Sequence, residues 1–222
     1  LLLNNSFQLV VLEDVKVNGE SVKWSLVKVD EDGNPYVELK LREWMLKPGE
    51  KIEFSGVTRI RVFNREKLKP KISINESGSL SDIPVELMGN YLKSTPLYQT
   101  DNVELRKLAF KLKGDETNVL KIILKFLDWF EKSILYPLEE ESGSLRLPTY
   151  PNETFTARVG DCDDQTNLFV TLCRIVGIPS YAETGFIYHP YESEETATYA
   201  EGKYRVKLLR VGGHSWAMVY VP

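Results

Sequence analysis

The first candidate for chemistry is Cys162, which stands in the run Gly-Asp-Cys-Asp-Asp at residues 160–164. The apolar spacing after it predicts that a helix begins at this cysteine. A helix N-terminus has unpaired N–H groups and a partial positive charge, which favour a thiolate and can bind a developing oxyanion. Asp161, Asp163 and Asp164 oppose the thiolate through their charge, and they are also ordinary capping residues. Cys162 is therefore a candidate nucleophile, and a purely structural role is the alternative.

Cys173 is the other cysteine of the chain, and its position predicts a different role. Eleven residues of helix are close to three turns, so Cys173 shares a face with Cys162 about 16 Å away. That separation is too long for a disulfide bond between them. Because Cys173 lies in the apolar register beside Leu172 and Val176, we expect a small buried residue.

A thiol nucleophile needs a base, and the chain has two histidines, His189 and His214. His214 follows a glycine pair at the start of a strand-like run, whose alternation places its imidazole on the same face as Trp216. His189 precedes a proline in a tyrosine-rich loop and is expected at the surface. A lone strand histidine is commonly a core or hydrogen-bonded residue, whereas His214 paired with Cys162 would supply both base and nucleophile.

The composition of the chain excludes several functional classes. With 222 residues, 42% apolar residues and a net charge of -4, the chain is typical of a globular protein with a substantial core. Its basic residues are scattered among acidic ones, so we expect no nucleic-acid partner. No apolar run reaches the roughly 18 residues of a membrane-spanning helix.

No cofactor or metal is predicted either. A zinc site needs more Cys and His ligands than this sequence offers, and two cysteines cannot form a disulfide framework. The acidic residues at 161–164 lack the spaced oxygen ligands of a calcium loop.

Two features of the sequence concern the length of the parent protein and its location. They are the ends of the chain and three glycosylation acceptor patterns. The chain starts at Leu1 without Met and ends at Pro222 directly after a strand-like run, so we expect a segment of a longer protein. The acceptor pattern Asn-X-Ser/Thr begins at Asn4, Asn75 and Asn152, which favours an extracytoplasmic or cell-surface location. The oligomeric state is left open.

The pattern up to about residue 78 predicts a β-rich accessory domain. Strands are expected at 7–17, 21–30, 36–46, 51–63 and 69–74, because these runs alternate apolar and polar residues between turn sequences. Five short strands at regular spacing favour a small β-sandwich-like domain over residues 1–78.

Residues 79–222 are predicted to form a second domain that mixes helices and strands. Helices are expected at 81–93, at 101–114 with Asp101 as the cap, at 117–135 and at 162–176. The aromatic stripe Phe126, Trp129 and Phe130 is assigned to the core. Strands are expected at 180–188, 204–211 and 215–221, with a surface loop at 192–201 and a hairpin turn at the Gly-Gly pair 212–213.

Several short motifs follow in one order along the C-terminal half. They are residues 160–164, Leu168, Leu-Cys-Arg at 172–174, Gly-Ile-Pro at 177–179, Gly185 and His-Ser-Trp-Ala at 214–217. In this order they resemble the core of the transglutaminase-like superfamily, and its archaeal and bacterial cysteine protease type more than animal transglutaminases. The resemblance covers about residues 100–222 and is strongest over 158–222.

The resemblance implies an α+β fold, in which a helix-start cysteine packs on an antiparallel sheet. It implies Cys162 as nucleophile and His214 as general base, with Asp161, Asp163 and Trp216 as candidates near the oxyanion. The family pattern also has an Asp that orients the His, on the strand after it. Asp161, Asp163 and Asp164 do not match its position. Either that Asp lies beyond Pro222, which the abrupt end of the chain favours, or the domain is a degenerate relative of the family.

Three functions stay open from the sequence. Thiol-dependent acyl transfer to water would make the chain a peptidase or amidase acting on a protein or peptide substrate, which we favour. Transfer to a lysine amine would make it a cross-linking transglutaminase. The third interpretation is a non-catalytic transglutaminase-fold domain for binding or for cell-surface structure.

Overall fold

The computed structural model describes residues 7–24, 28–39, 47, 49–63, 72–137, 148–191, 194–199 and 204–222. The chain divides into two compact units, residues 1–71 and residues 72–222. This boundary falls a few residues before the one that the sequence predicts, at 78/79. The separate roles of the two domains stay predictions.

The N-terminal unit contains antiparallel β-structure. Strand β1 (Gln8–Val17) pairs with β2 (Glu20–Ser21) on one side and β5 (Phe54–Val62) on the other, and β3 (Lys28–Val29) pairs with β4 (Pro35–Tyr36). Asn18 and Gly19, both with positive φ, form the turn from β1 to β2. Of the strand expected at 36–46, residues 37–39 are not β-structure and 40–46 lie outside the described residues. The strand expected at 69–74 is absent from 72–74, and the sandwich packing stays a prediction.

The C-terminal unit contains five α-helices within its described residues. They are α1 (Val85–Tyr91), α2 (Val103–Lys113), α3 (Val119–Ser133), α4 (Pro151–Ala157) and α5 (Cys162–Ile175). The predicted cap of α2 was wrong: Asn102, not Asp101, accepts hydrogen bonds from the N–H groups of Glu104 and Leu105. None of the described helices is long and apolar enough to cross a lipid bilayer.

Helix α5 is the most deeply buried element. Every residue from Thr166 to Val176 is buried. The polar ones are bonded: the Thr171 hydroxyl donates to the Asn167 carbonyl, and Arg174 donates from Nε to the Ser180 carbonyl. The helix therefore passes through the core, and its first turn is its more exposed end.

The core combines the apolar faces of α2, α3 and α5. Its buried members include Leu105, Ala109, Val119, Ile122, Phe126, Phe130, Leu168, Phe169, Leu172 and Cys173. The sequence assignment of the aromatic stripe to the core is confirmed, with Phe126 and Phe130 buried and Trp129 packed against them. The helix-period spacing of apolar residues explains this arrangement.

Two antiparallel strand pairs complete the unit, and their pairing corrects two predictions. Strand β6 (Ser180–Tyr188) pairs with β9 (Val211–Val219), and β7 (Glu194–Tyr199) pairs with β8 (Tyr204–Leu209). The loop expected at 192–201 was wrong for residues 194–199, where Thr196, Thr198 and Tyr199 have high β-propensity and β8 is the partner strand. Residues 192, 193, 200 and 201 lie outside the described residues. The hairpin at Gly212 and Gly213 was also wrong: β9 runs through both glycines, and the positive φ lies at Arg210.

We expect Phe126→Ala to destabilise the C-terminal unit by about 3–5 kcal/mol, because the ring is fully buried and leaves a cavity. Its ring lies edge-on to Phe169 at 6.4 Å between centroids. Urea unfolding followed by the helical circular dichroism signal measures the loss. Leu127→Ala is the matched control, since Leu127 is 49% exposed. Equal losses for the two variants would contradict this packing.

Candidate active site

The start of α5 is tied to the end of α3 by backbone hydrogen bonds. The N–H of Leu135 donates to the carbonyl of Arg158 at 2.8 Å, and the N–H of Gly160 donates to the carbonyl of Leu135 at 3.1 Å. Leu135 and Val159 thus form a parallel bridge. This bridge places Tyr136, the next residue, beside the first residue of α5.

Gly160 allows close packing at this point. A Cβ atom there would lie 2.7 Å from the Cβ of Asp164 and 2.9 Å from the Cγ2 of Thr154. Asp164 is buried, and its Oδ1 accepts hydrogen bonds from the N–H and the hydroxyl of Thr149 at 2.6 and 2.8 Å. Asp164 therefore anchors the segment before α4, and a larger residue at 160 would displace it.

The Cys162 thiol is half-buried between two hydrogen-bond donors. The N–H of Ser215 and the hydroxyl of Tyr136 donate hydrogen bonds to Sγ. The Tyr136 hydroxyl also accepts a hydrogen bond from the backbone N–H of Cys162. One hydroxyl thus bridges Sγ of Cys162 and the first N–H of the helix.

The surroundings of the Cys162 thiol disfavour its ionised form. Burial raises the pKa of Cys162, and the charges of Asp163 and Asp161 raise it further. The hydrogen bonds from Ser215 and Tyr136 lower this pKa, but by less than burial and the acidic neighbours raise it. The helix start alone was expected to favour the thiolate; desolvation and the acidic neighbours outweigh it.

Cys173 has the environment that the sequence predicted. Its side chain is fully buried in the core cluster. Burial raises the pKa of this thiol far above its usual value. Cys173 therefore acts as a small apolar core residue.

His214 lies on β9, opposite Gly185 on β6. The imidazole is half-buried, and its ring centroid is 6.1 Å from that of Trp216 with 34° between the planes. The Trp216 indole N–H donates to Oε2 of Glu183 at 2.9 Å. His214 and Trp216 thus share one face of the strand, as the alternation predicts.

The structure brings Cys162 to the strand that carries His214. Sγ meets β9 at the backbone of Ser215, one residue beyond His214. Within the described part of the chain, no hydrogen bond joins the thiol and the imidazole. The other histidine, His189, lies after β6 and donates its backbone N–H to the carbonyl of Arg210.

Three carboxyl groups lie together at the first turn of α5. Oxygens of Asp161, Asp163 and Asp164 lie within 4.8 Å of one another, the one such set in the described ranges near enough to hold a metal ion. Burial, together with the hydrogen bond and charge of Asp161, raises the pKa of Asp163 to about 7. A proton shared between Asp161 and Asp163 explains how these groups can lie so close.

Sequence reasoning missed two contributors to this site, Tyr136 and Glu183. Tyr136 follows the end of α3 with no motif around it, and its role depends on the bridge to Val159. Glu183 lies in a strand that was predicted, but its partner Trp216 could be identified only from the register of β6 and β9.

Comparisons with known proteins bear on the family and the fold. A family model described as Transglutaminase-like superfamily matches residues 106–222. The chain is similar to a solved structure from Cytophaga hutchinsonii, assigned provisionally as a cysteine protease, with 21% identity and a TM-score of 0.60; the match covers 99% of this chain and 64% of that one. A second structure, from Parabacteroides distasonis and assigned provisionally as a protease, has 16% identity and a TM-score of 0.38, covering 96% of this chain and 37% of that one. No curated protein matches the sequence.

The pKa of Asp163 predicts how stability changes with pH. In the unfolded chain an aspartate ionises near pH 3.9, whereas in the folded chain Asp163 ionises at about 7. Between these values the folded state binds a proton that the unfolded state lacks. The contribution of Asp163 to the free energy of unfolding is therefore fully present below about pH 4 and is lost as the pH rises through about 7. We expect Asp163→Asn to remove this part of the pH dependence.

Urea unfolding at pH 5 and pH 8 measures this effect. The free energy of unfolding should fall less between the two pH values in Asp163→Asn than in the unmodified chain. Asp128→Asn is the matched control, since Asp128 lies on the exposed face of α3 and bonds Lys132. An unchanged pH slope in Asp163→Asn would contradict the shared proton.

Proposed function

This chain belongs to the transglutaminase-like superfamily, as its motifs predict, and on that premise we propose that it catalyses thiol-dependent acyl transfer on peptide or carboxamide bonds. Cys162 is the proposed nucleophile and His214 the proposed general base. The observation that carries the proposal is the position of the Cys162 thiol: at a helix N-terminus, half-buried, and against β9 beside His214.

The proposed reaction begins with proton transfer from Sγ of Cys162 to the imidazole of His214. The thiolate attacks the carbonyl carbon, and the carbonyl oxygen becomes an oxyanion within reach of the backbone N–H of Cys162. The Tyr136 hydroxyl, which occupies this N–H in the resting site, becomes a second donor when it turns toward the oxygen. Collapse of the adduct breaks the C–N bond, and the imidazolium protonates the leaving amine.

The thioester then passes its acyl group to an acceptor. Attack by water, deprotonated by His214, gives a carboxylic acid and restores the thiol. We propose hydrolysis of a protein or peptide substrate as the outcome, in line with the provisional assignment of the Cytophaga protein as a cysteine protease. Attack by a lysine amine would instead form an isopeptide bond, the cross-linking alternative. An extracytoplasmic location is part of the same proposal.

One observation favours a second candidate, a non-catalytic binding domain. Burial and two acidic neighbours raise the pKa of Cys162, which by itself makes a poor nucleophile. Coupling to His214 is what distinguishes an enzyme from this alternative, so the experiment targets that coupling.

The test is acylation of the full chain by p-nitrophenyl acetate, followed by p-nitrophenolate release and by mass spectrometry of the cysteine peptides. We expect an acetyl group on Cys162 and none on Cys173. His214→Ala should slow acylation about 10²–10⁴-fold, because it removes the general base. His189→Ala, the matched control, should leave the rate unchanged.

The fate of the acetyl group separates the two acyl acceptors. Free acetate as the main product in the presence of butylamine supports hydrolysis, and N-butylacetamide as the main product supports amine transfer. Acylation of Cys162 at a rate that does not depend on His214 would contradict the proposed pair and favour the binding domain.

A further inference from the structure

The Trp216 indole is held at both of its ends. Its N–H donates to Oε2 of Glu183 at 2.9 Å, and Glu183 is the residue directly opposite Trp216 in the antiparallel pairing. A hydrogen bond to a carboxylate is among the stronger ones in a protein, and both side chains are half-buried. The five-membered ring of the indole is therefore fixed over β6.

Gly185 receives the other end of the indole. A Cβ atom at 185 would lie 2.8 Å from Cη2 and 3.3 Å from Cζ3 of Trp216, so the six-membered ring occupies the space that a side chain would take. Gly185 is the residue paired with His214. The indole thus crosses from Glu183 to the position directly opposite the imidazole.

This arrangement limits where the imidazole can go. The two rings lie 6.1 Å apart on the same face of β9, with 34° between their planes. An unrestrained histidine divides its population over about three χ1 wells and two broad χ2 wells. Because the indole occupies the space on one side of His214, the imidazole cannot adopt the side-chain orientations that would point across the sheet.

We propose that Glu183 and Trp216 are positioning residues for His214: Glu183 holds the indole over Gly185, and the indole restricts the imidazole to few orientations. The proposal rests on the proposed role of His214 as general base. It concerns a carboxylate on β6 that acts through an aromatic ring and does not contact the imidazole itself.

The test uses Glu183→Ala, which removes the acceptor, and Glu183→Gln, which keeps an acceptor oxygen but removes the charge. The first readout is the proton NMR spectrum of the imidazole rings, assigned with His214→Ala and His189→Ala, because the chain has two histidines. The second is the rate of Cys162 acetylation by p-nitrophenyl acetate. Thr184→Ala is the matched control, since Thr184 is an exposed neighbour on the same strand.

We expect Glu183→Ala to move the His214 resonances toward the chemical shifts of a freely rotating histidine side chain, because the ring current of the indole no longer acts on them. The resonances of His189 should stay in place. Acetylation should slow about threefold to sixfold, the number of orientations over which a freed imidazole divides. Glu183→Gln should retain both properties. Trp216→Phe, which keeps a ring but loses the N–H donor, should reproduce Glu183→Ala and replaces it if that variant fails to fold.

Unchanged His214 resonances in Glu183→Ala would overturn the inference. Equal behaviour of Glu183→Gln and Glu183→Ala would also overturn it, because the charge and not the hydrogen bond would then be what matters. If the resonances move but the unmodified chain is not acetylated, the proposed function fails while the positioning of His214 stands.

Discussion

The burial of α5 is the constraint on which the rest of the C-terminal unit depends. From Thr166 to Val176 the helix is enclosed, and α2, α3, β6 and β9 each pack against it. Chemistry along this helix is therefore possible only at its first turn, where Cys162 is half-buried. The same burial explains the different fates of the two cysteines, since Cys173 lies on the enclosed part and Cys162 on the open end.

The bridge between Leu135 and Val159 positions one of the groups that surround Cys162. It joins the end of α3 to the segment that leads into α5, and it sets Tyr136 against both the N–H and the thiol of Cys162. The N–H of Ser215 approaches the thiol from β9. Three parts of the unit that are distant in sequence thus meet at one sulfur atom, each held by backbone hydrogen bonds.

Local sequence patterns predicted the elements of this unit better than their connections. Helices α3 and α5 and strand β6 follow from apolar spacing and from the Gly-Ile-Pro stop at 177–179, because those signals are local. The pairing of β7 with β8 and the passage of β9 through Gly212 depend on partner strands, which no local pattern shows. The contacts of Tyr136 and Glu183 were missed for the same reason, whereas Cys162 and His214 carry motifs that mark them.

The acidic residues around Cys162 work against the chemistry that is proposed for it. Burial and the charges of Asp163 and Asp161 raise the pKa of the thiol, so an isolated thiolate is disfavoured. The proposed acyl transfer therefore needs a base that takes the proton as the sulfur atom attacks. The proposed base is His214, on the strand that Sγ contacts at Ser215, so the proposed reaction depends on where the imidazole is held.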